Sequence, residues 1–461
     1  MNRILLALGA AAVIGLAPSV PYAKPAKAAK APAASAPKNA YVLNRATYDI
    51  LGWAKDTKGG KGGRIIKVTN LNESGPGSLR EAVEADGPRI VVFEVGGVID
   101  LNGHDLIIKN PYMTIAGQTA PSPGITLIRS ETHMDHAHDI IIQHLMFRPG
   151  EAGHPKKSGW EVDAFSANSS YNIIVDHCSM SWATDENLSA SGPRFNGKTV
   201  DKWRQNTSHN ITYSHNLVYE GLRNSTHGKG EHSKGGLYHD NTTGILLYGN
   251  LYASNEERNG LFKGGVHAAE INNMIYNPGQ KAVHYNLIAH EWETHPFETG
   301  VITLIGNVYR QGPDTVKDTP FFALGGDGDV SLYLKDNIAV DQYDHPVAQT
   351  GRYTTGSAQI LTAKTPYLPD DIKIIPAAKM EDEIYESVGA RPWDRDDVDF
   401  KILSDVAEGR GQIIDQESQN YYGYPQYKPT SQPFNEADWN LDDMSPKAGW
   451  ASLFAKSYPK H

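Results

Sequence analysis

The sequence predicts an all-β protein built as a parallel β-helix, with long loops on one face and a C-terminal extension wrapping the helix. Three observations predict it. Seven short segments share one pattern: 138–148, 171–182, 209–221, 243–255, 267–279, 300–312 and 328–340. Each alternates apolar and polar residues over a strand length, turns, and resumes. In five of them an asparagine sits at the turn, Asn216, Asn250, Asn273, Asn307 and Asn337, at intervals of 34, 23, 34 and 30 residues. Unequal intervals argue against a propeller, whose blades recur evenly, and suit rungs whose loops differ in length. Finally, 44 glycines and a hydrophobic content of 39% lean away from a helical bundle.

The elements follow in order. "MNRILLALGAAAVIGLAPSVPYA" (1–23) carries one arginine and a short apolar run. It reads as a signal peptide, too short and wrongly flanked to span a bilayer. The Ala/Pro/Lys stretch 24–40 reads as a disordered linker. Residues 41–340 hold the repeats, and a ladder of turn asparagines can bond rung to rung. Residues 341–461 lose the repeat. Within them "DRDDVDFKILSDVAEG" spaces Val398, Phe400, Ile402, Leu403 and Val406 as a helix, with Gly409 as its stop. The extension is expected to cap or cover the β-helix rather than to form a catalytic domain.

Bulk properties exclude several functions. A formal net charge of −10 excludes a uniformly basic nucleic-acid binder, so an anionic polymer must be met by a local basic cleft. Cys178 is the single cysteine, so export does not rest on an internal disulfide and stability must come from a large core. The expected protein is a secreted or periplasmic monomer with no nucleic-acid or membrane partner.

Several long segments carry a resemblance. "GGKGGRIIKVTNLNESGPGSLREAVEADGPRIVVFEVGGVIDL" (59–101), "MTIAGQTAPSPGITL" (113–127), "NIIVDHCSMSWATDENLS" (172–189) and "GARPWDRDDVDFKILSDVAEGRGQIID" (389–415) resemble the pectate-lyase-like proteins of polysaccharide lyase family 1. The resemblance spans roughly 59–420. "YDILGWAKDTKGG" departs from the Gly/Phe/Pro-rich opening of relatives. The resemblance implies a right-handed parallel β-helix that cleaves a uronate polymer, pectate or polygalacturonate by default, by β-elimination, commonly with Ca²⁺.

β-Elimination removes the proton at C5 of a uronate and expels the oxygen at C4. It needs a cation on the carboxylate, a base at C5 and a proton for the leaving oxygen. Asp163 and Asp185 lie 22 residues apart, about one rung, so they are expected to stack about 4.8 Å apart. By resemblance they match two Ca²⁺ ligands. The third family carboxylate is Ser189 here, with Glu186 as its substitute; turn capping is the other reading of these acids. Asp176 and His177 also match, and Asp176 is expected to organise the fold. Cys178 falls where later rungs have their asparagine, as a small buried packing residue.

The cations are assigned by the same resemblance. Arg223 falls at a substrate-binding lysine, Arg258 at the catalytic arginine and Lys263 at a second, substrate-binding arginine. Arginine is an unusual base, because its guanidinium is ordinarily always protonated. His227 and His232 are therefore expected near substrate and are alternative bases, with Tyr238 behind them; loop hydrogen bonding is the other reading of the two histidines. Two further functions stay open: a non-catalytic carbohydrate-binding β-helix, and a lyase for a different uronate polymer. A β-helix hydrolase would need paired or tripled carboxylates and a Gly-His-Gly segment, and the sequence has no Gly-His-Gly.

Overall fold

A computed structural model describes residues 51–450 and 452–453. The expected signal peptide (1–23) and linker (24–40) lie outside the described residues. Among the described residues the strands form three long sheets of 11, 9 and 10 strands. Consecutive strands step from one sheet to the next. His209–Ser214 lies in the eleven-stranded sheet, Leu217–Tyr219 in the ten-stranded and Lys234–Tyr238 in the nine-stranded. Each strand then pairs in parallel with its counterpart one rung away, as Ile173 does with Ile211 and Ile211 with Ile245. That is a parallel β-helix. No helix of the described residues is long and apolar enough to cross a membrane.

The turn between the eleven- and ten-stranded sheets shows why the repeat tolerates loops elsewhere. His144, His177, His215, Gly249, Asn272, Gly306 and Asp336 all have positive φ there. The left-handed residue reverses the chain and aims the next side chain inward. From the third of these turns on, that next residue is asparagine. Asn216 N–H donates to Asn250 Oδ1 at 2.9 Å, and Asn250 to Asn273 and Asn273 to Asn307 each at 2.8 Å. Asn307 donates to Asn337 Oδ1 at 3.0 Å. Cys178 heads the ladder, its N–H donating to Asn216 Oδ1 at 2.9 Å, and burial pushes its thiol pKa up. The histidines fall into a column for the same reason: His144, His177 and His215 stack at 5.1 and 4.6 Å. Asp176 accepts from Ser214 Oγ and faces Nδ1 of both His177 and His215. Burial alone would raise its pKa, and the two imidazoles hold it well below the usual carboxylate range.

One apolar core runs through the helix interior from Val68 to Ala358. A second seals the ten-stranded sheet under the extension, where Leu217, Leu251, Met274 and Val308 meet Ile384, Ile402, Leu403 and Val406. Each such side chain fully buried stabilises the fold by roughly 1.5–3 kcal/mol. The expected helix spans Asp397–Ala407, with Gly409 at φ 69° after it. Phe400 departs from expectation: it is 61% exposed, because its position on the helix faces away from the sheet. The repeat also continues beyond 340. Thr350–Arg352 and Ile360–Thr362 add parallel strands to the nine- and eleven-stranded sheets.

Candidate active site

The charged residues gather where strands enter the nine-stranded sheet. Phe165 pairs with Leu188 and Ser166 with Ser189. This register carries Asp163 opposite Glu186, not opposite Asp185 as expected; Asp185 lies one residue earlier on that rung. The Glu186 N–H donates to Asp163 Oδ1 at 3.0 Å, and Ser189 Oγ donates to Asp163 Oδ2 at 2.5 Å. One carboxylate oxygen from each of Asp163, Asp185 and Glu186 lies within 4.8 Å of the others. Glu131, which the sequence did not single out, stands behind them and accepts from Ser166 Oγ at 2.6 Å. Burial, with Glu131 and Asp185 beside it, pushes the Asp163 carboxyl well above its usual range. Burial acts the same way on Asp185, but His232, His227 and Arg258 outweigh it and hold that carboxyl low.

Arg258 reaches this cluster through a distortion of its strand. Lys234 pairs with Glu257 and Gly236 with Asn259, and the register then slips so that Leu237 meets Leu261. Gly260 is the extra residue, at φ 101°, and Arg258 itself sits at φ 63°. A bulge with a left-handed arginine costs on the order of 1–3 kcal/mol and re-aims the side chain. Arg258 Nη1 pairs with Glu186 Oε1, two strands away, or about 9.6 Å along the helix. The strand between presents Gly235, where an added Cβ would come within 2.8 Å of the Arg258 carbonyl oxygen. Burial lowers the Arg258 pKa; Asp185 and Asp163 oppose that.

Beside Arg258 runs a ladder of alternating charge that the sequence reading missed. Glu186 is opposite Lys234, and Lys234 is opposite Glu257. Lys234 Nζ is 2.7 Å from Glu257 Oε1, and Lys281 pairs with the other oxygen. Burial would raise the Glu257 pKa, yet Lys234, His284 and Lys281 hold it far below normal. Charges three strands apart leave no local sequence signal. Only the register reveals them.

The remaining expected residues separate. Lys263 does not join the cleft: it is 7% exposed, with Nζ 2.5 Å from Glu291 Oε2 and 3.9 Å from Asp240 Oδ2. Two carboxylates hold it at the far end of its strand, so it is not an open substrate-binding cation. Arg223 is half-buried, its Nε donating to Asp415 Oδ1 of the extension at 3.1 Å. His227 is fully buried and its ring stacks on His232 at 3.4 Å. Both imidazoles turn to Asp185, with His232 Nε2 at 3.2 Å and His227 Nε2 at 3.6 Å, so His227 is not exposed for substrate. Tyr238 is not behind them. It is fully buried in the core, its hydroxyl 3.0 Å from that of Tyr252.

The arrangement suits Ca²⁺ at Asp163, Asp185 and Glu186. The donors are all hard oxygens within 4.8 Å of one another, and burial together with Glu131 and Asp185 raises the Asp163 carboxyl, which positive charge would relieve. Arg258 supplies part of it from two strands away.

Fold and site together define a parallel β-helix protein with an acid cluster and a re-aimed arginine on one sheet. The chain is related in sequence to pectate-lyase-like proteins. "Probable pectate lyase C" of Aspergillus flavus is 35% identical over 264 residues, covering 57% of this chain and 54% of that protein. The protein of the same name in Emericella nidulans is 37% identical over 228 residues, covering 50% and 47%. The chain thus spans about half the length of the curated relatives it matches. No family model matches the sequence. The fold is shared with the crystal structure of jun a 1, the major allergen from cedar pollen. The TM-score is 0.52 at 16% identity, covering 74% of this chain and 92% of that one.

Proposed function

We propose that the protein is a secreted or periplasmic polysaccharide lyase that cleaves a uronic-acid polymer, pectate by default, by β-elimination. The observation that carries this is the bulged strand that turns Arg258 onto the Asp163–Asp185–Glu186 cluster. The relatives' name supports the reaction class.

Bound at the three acids, Ca²⁺ would neutralise the substrate carboxylate and so make the C5 proton more acidic. Arg258 must first leave Glu186, which frees its guanidinium to face C5. Burial favours its neutral form, which accepts the C5 proton. The C5–H electron pair becomes the C4–C5 double bond, the C4–O bond breaks, and the departing oxygen takes a proton from water. The Lys234–Glu257–Lys281 ladder holds the charge beside Arg258 in place. A base with a lowered but still high pKa works best in alkaline solution.

The test is a panel of uronate polysaccharides, followed by ultraviolet absorbance of the new double bond, with Ca²⁺ and with chelator. Signal on pectate that chelator abolishes is expected. Arg258→Ala should lower turnover about 10²–10⁴-fold. Silence on every polymer would overturn the lyase reading, and near-normal turnover in Arg258→Ala would remove Arg258 from it.

A further inference from the structure

The acid cluster has an imidazole side that the proposed reaction does not use. We propose that Asp185 also anchors a second cation site, completed by His227 and His232, that takes a borderline divalent transition ion such as Zn²⁺ or Co²⁺. This inference does not depend on the lyase reading.

Three observations support it. The first is spacing. Nε2 of His232 and of His227 lie 3.2 and 3.6 Å from Asp185 Oδ1, and the three donor atoms all fall within 4.8 Å. Donors bonded at about 2.0–2.1 Å around a tetrahedral ion stand roughly 3.4 Å apart. The donor set, two imidazoles and one carboxylate, suits zinc-like ions and leaves a position open. Ca²⁺ prefers the all-oxygen side of the same aspartate.

The second is an unmet polar atom. His227 is fully buried, and its Nε2 has no hydrogen-bond partner among the described residues. Burying such an atom without a partner is unfavourable. It lies 3.6 Å from Asp185 Oδ1, in a group whose three ligand atoms are within 4.8 Å of one another.

The third is proton placement. His232 Nδ1 is 3.1 Å from the Glu231 carbonyl oxygen, so Nδ1 carries the proton that it donates. That leaves Nε2 as the ring atom next to Asp185 Oδ1, 3.2 Å away. A backbone carbonyl on the distal nitrogen is the usual outer support of a metal-bound histidine. His227 needs one rearrangement. Its Nδ1 now accepts from the Lys229 N–H at 3.1 Å, with Glu161 Oε1 3.6 Å away. Ligation through Nε2 moves the imidazole proton to Nδ1, where Glu161 accepts it and the Lys229 contact is lost. The loop is held for this: Gly159 N–H donates to the Thr226 carbonyl at 2.9 Å, and His232 N–H to that of Arg223 at 2.7 Å.

The experiment is a titration of the metal-free full chain with Co²⁺, whose visible ligand-field bands report tetrahedral coordination. The bands should appear, be displaced by Zn²⁺ and persist in excess Ca²⁺. They should vanish in His227→Gln, His232→Gln and Asp185→Asn, and survive in Glu186→Gln. The histidine variants should keep the Ca²⁺-induced rise in melting temperature, which shows that they fold; Glu186→Gln should lose it. No Co²⁺ bands in the wild type, or bands that persist in the double histidine variant, would overturn the site. Loss of turnover on all uronates would sink the lyase reading and leave this spectrum unchanged.

Discussion

Two arginines on two faces of the same β-helix, Arg148 buried and Arg258 half-buried, sit in opposite surroundings. Arg148 lies where the extension covers the ten-stranded sheet. It pairs with Asp396 at 2.5 Å and Asp399 at 2.9 Å, and its guanidinium lies 5.7 Å from the Trp182 ring. Tyr219 and Ser179 hydroxyls donate to the two oxygens of Asp399 at 2.8 and 2.5 Å. Burial would lower the Arg148 pKa, but Asp396, Tyr219 and Asp399 raise it well above normal. At Arg258 burial outweighs Asp185 and Asp163, and its pKa falls. Acids outnumber the cation in both clusters, but those around Arg148 are balanced by the hydroxyls of Tyr219, Ser179 and Tyr427 inside a closed interface, whereas Asp185, with its side chain 29% exposed, leaves the Arg258 cluster partly open. A balanced cluster holds two parts of a fold together, whereas an unbalanced one is ready to take a ligand.

The largest expected effect tests the balanced side. Arg148→Ala leaves Asp396 and Asp399 buried with no cation, so stability should drop by about 3–5 kcal/mol in chemical denaturation. Arg258→Ala should cost far less stability, because Glu186 can be relieved by Ca²⁺. If both variants lost stability equally in Ca²⁺, the contrast between the clusters would fail.

A pH series sharpens it next. The Asp163 carboxyl is raised in the folded protein, so its contribution to stability is fully present below the unfolded carboxylate pKa and is lost as pH rises through the folded value. Metal-free protein should therefore lose stability from the ordinary carboxylate range towards neutrality, relative to Asp163→Asn. Saturating Ca²⁺ should flatten the difference. Asp176 runs the other way: its carboxyl is depressed, so its contribution is lost as pH falls. Melting curves of wild type and Asp163→Asn, with and without Ca²⁺, distinguish the two. A wild type that parallels Asp163→Asn without metal would show that the acids are not crowded.

An intermediate effect belongs to the asparagine ladder. Asn250→Ala removes an acceptor for the Asn216 N–H and a donor to the Tyr213 carbonyl, both buried. A loss of about 1–3 kcal/mol is expected in denaturation. The ladder was also the part of the fold most legible in the sequence, because the same side chain recurs at the same turn and one residue type repeats one hydrogen bond. The acid trio was legible for a related reason, its members being close in sequence and in adjoining rungs. What stayed hidden depends on register. A slip of one residue exchanges Asp185 for Glu186 opposite Asp163, and a bulge at Gly260 separates Arg258 from Lys263; neither leaves a compositional trace. The Lys263 partner, Glu291, comes from a short turn at Ala289–Trp292 that nothing local announces. The sequence marked His227 and His232 as expected substrate contacts; the loop that carries them turns both inward onto Asp185, a direction with no local signal.

The smallest effect concerns the margin where the two faces meet. Arg223 belongs to the loop beside the cleft, yet its partner Asp415 comes from the extension. Its side chain is 36% exposed and that of Asp415 35%, so water screens the pair and Arg223→Ala should change stability by about 0–1 kcal/mol. The functional consequence follows from the same exposure. On the proposed lyase reading, a cation that reaches the cleft only by exchanging one carboxylate for another would contribute to holding the polymer, not to the bond-breaking step. Arg223→Ala should therefore raise KM on pectate while kcat stays within about threefold. A fall in kcat as large as that of Arg258→Ala would place Arg223 among the reacting groups. No change in either constant would assign it wholly to the extension, beside Arg148.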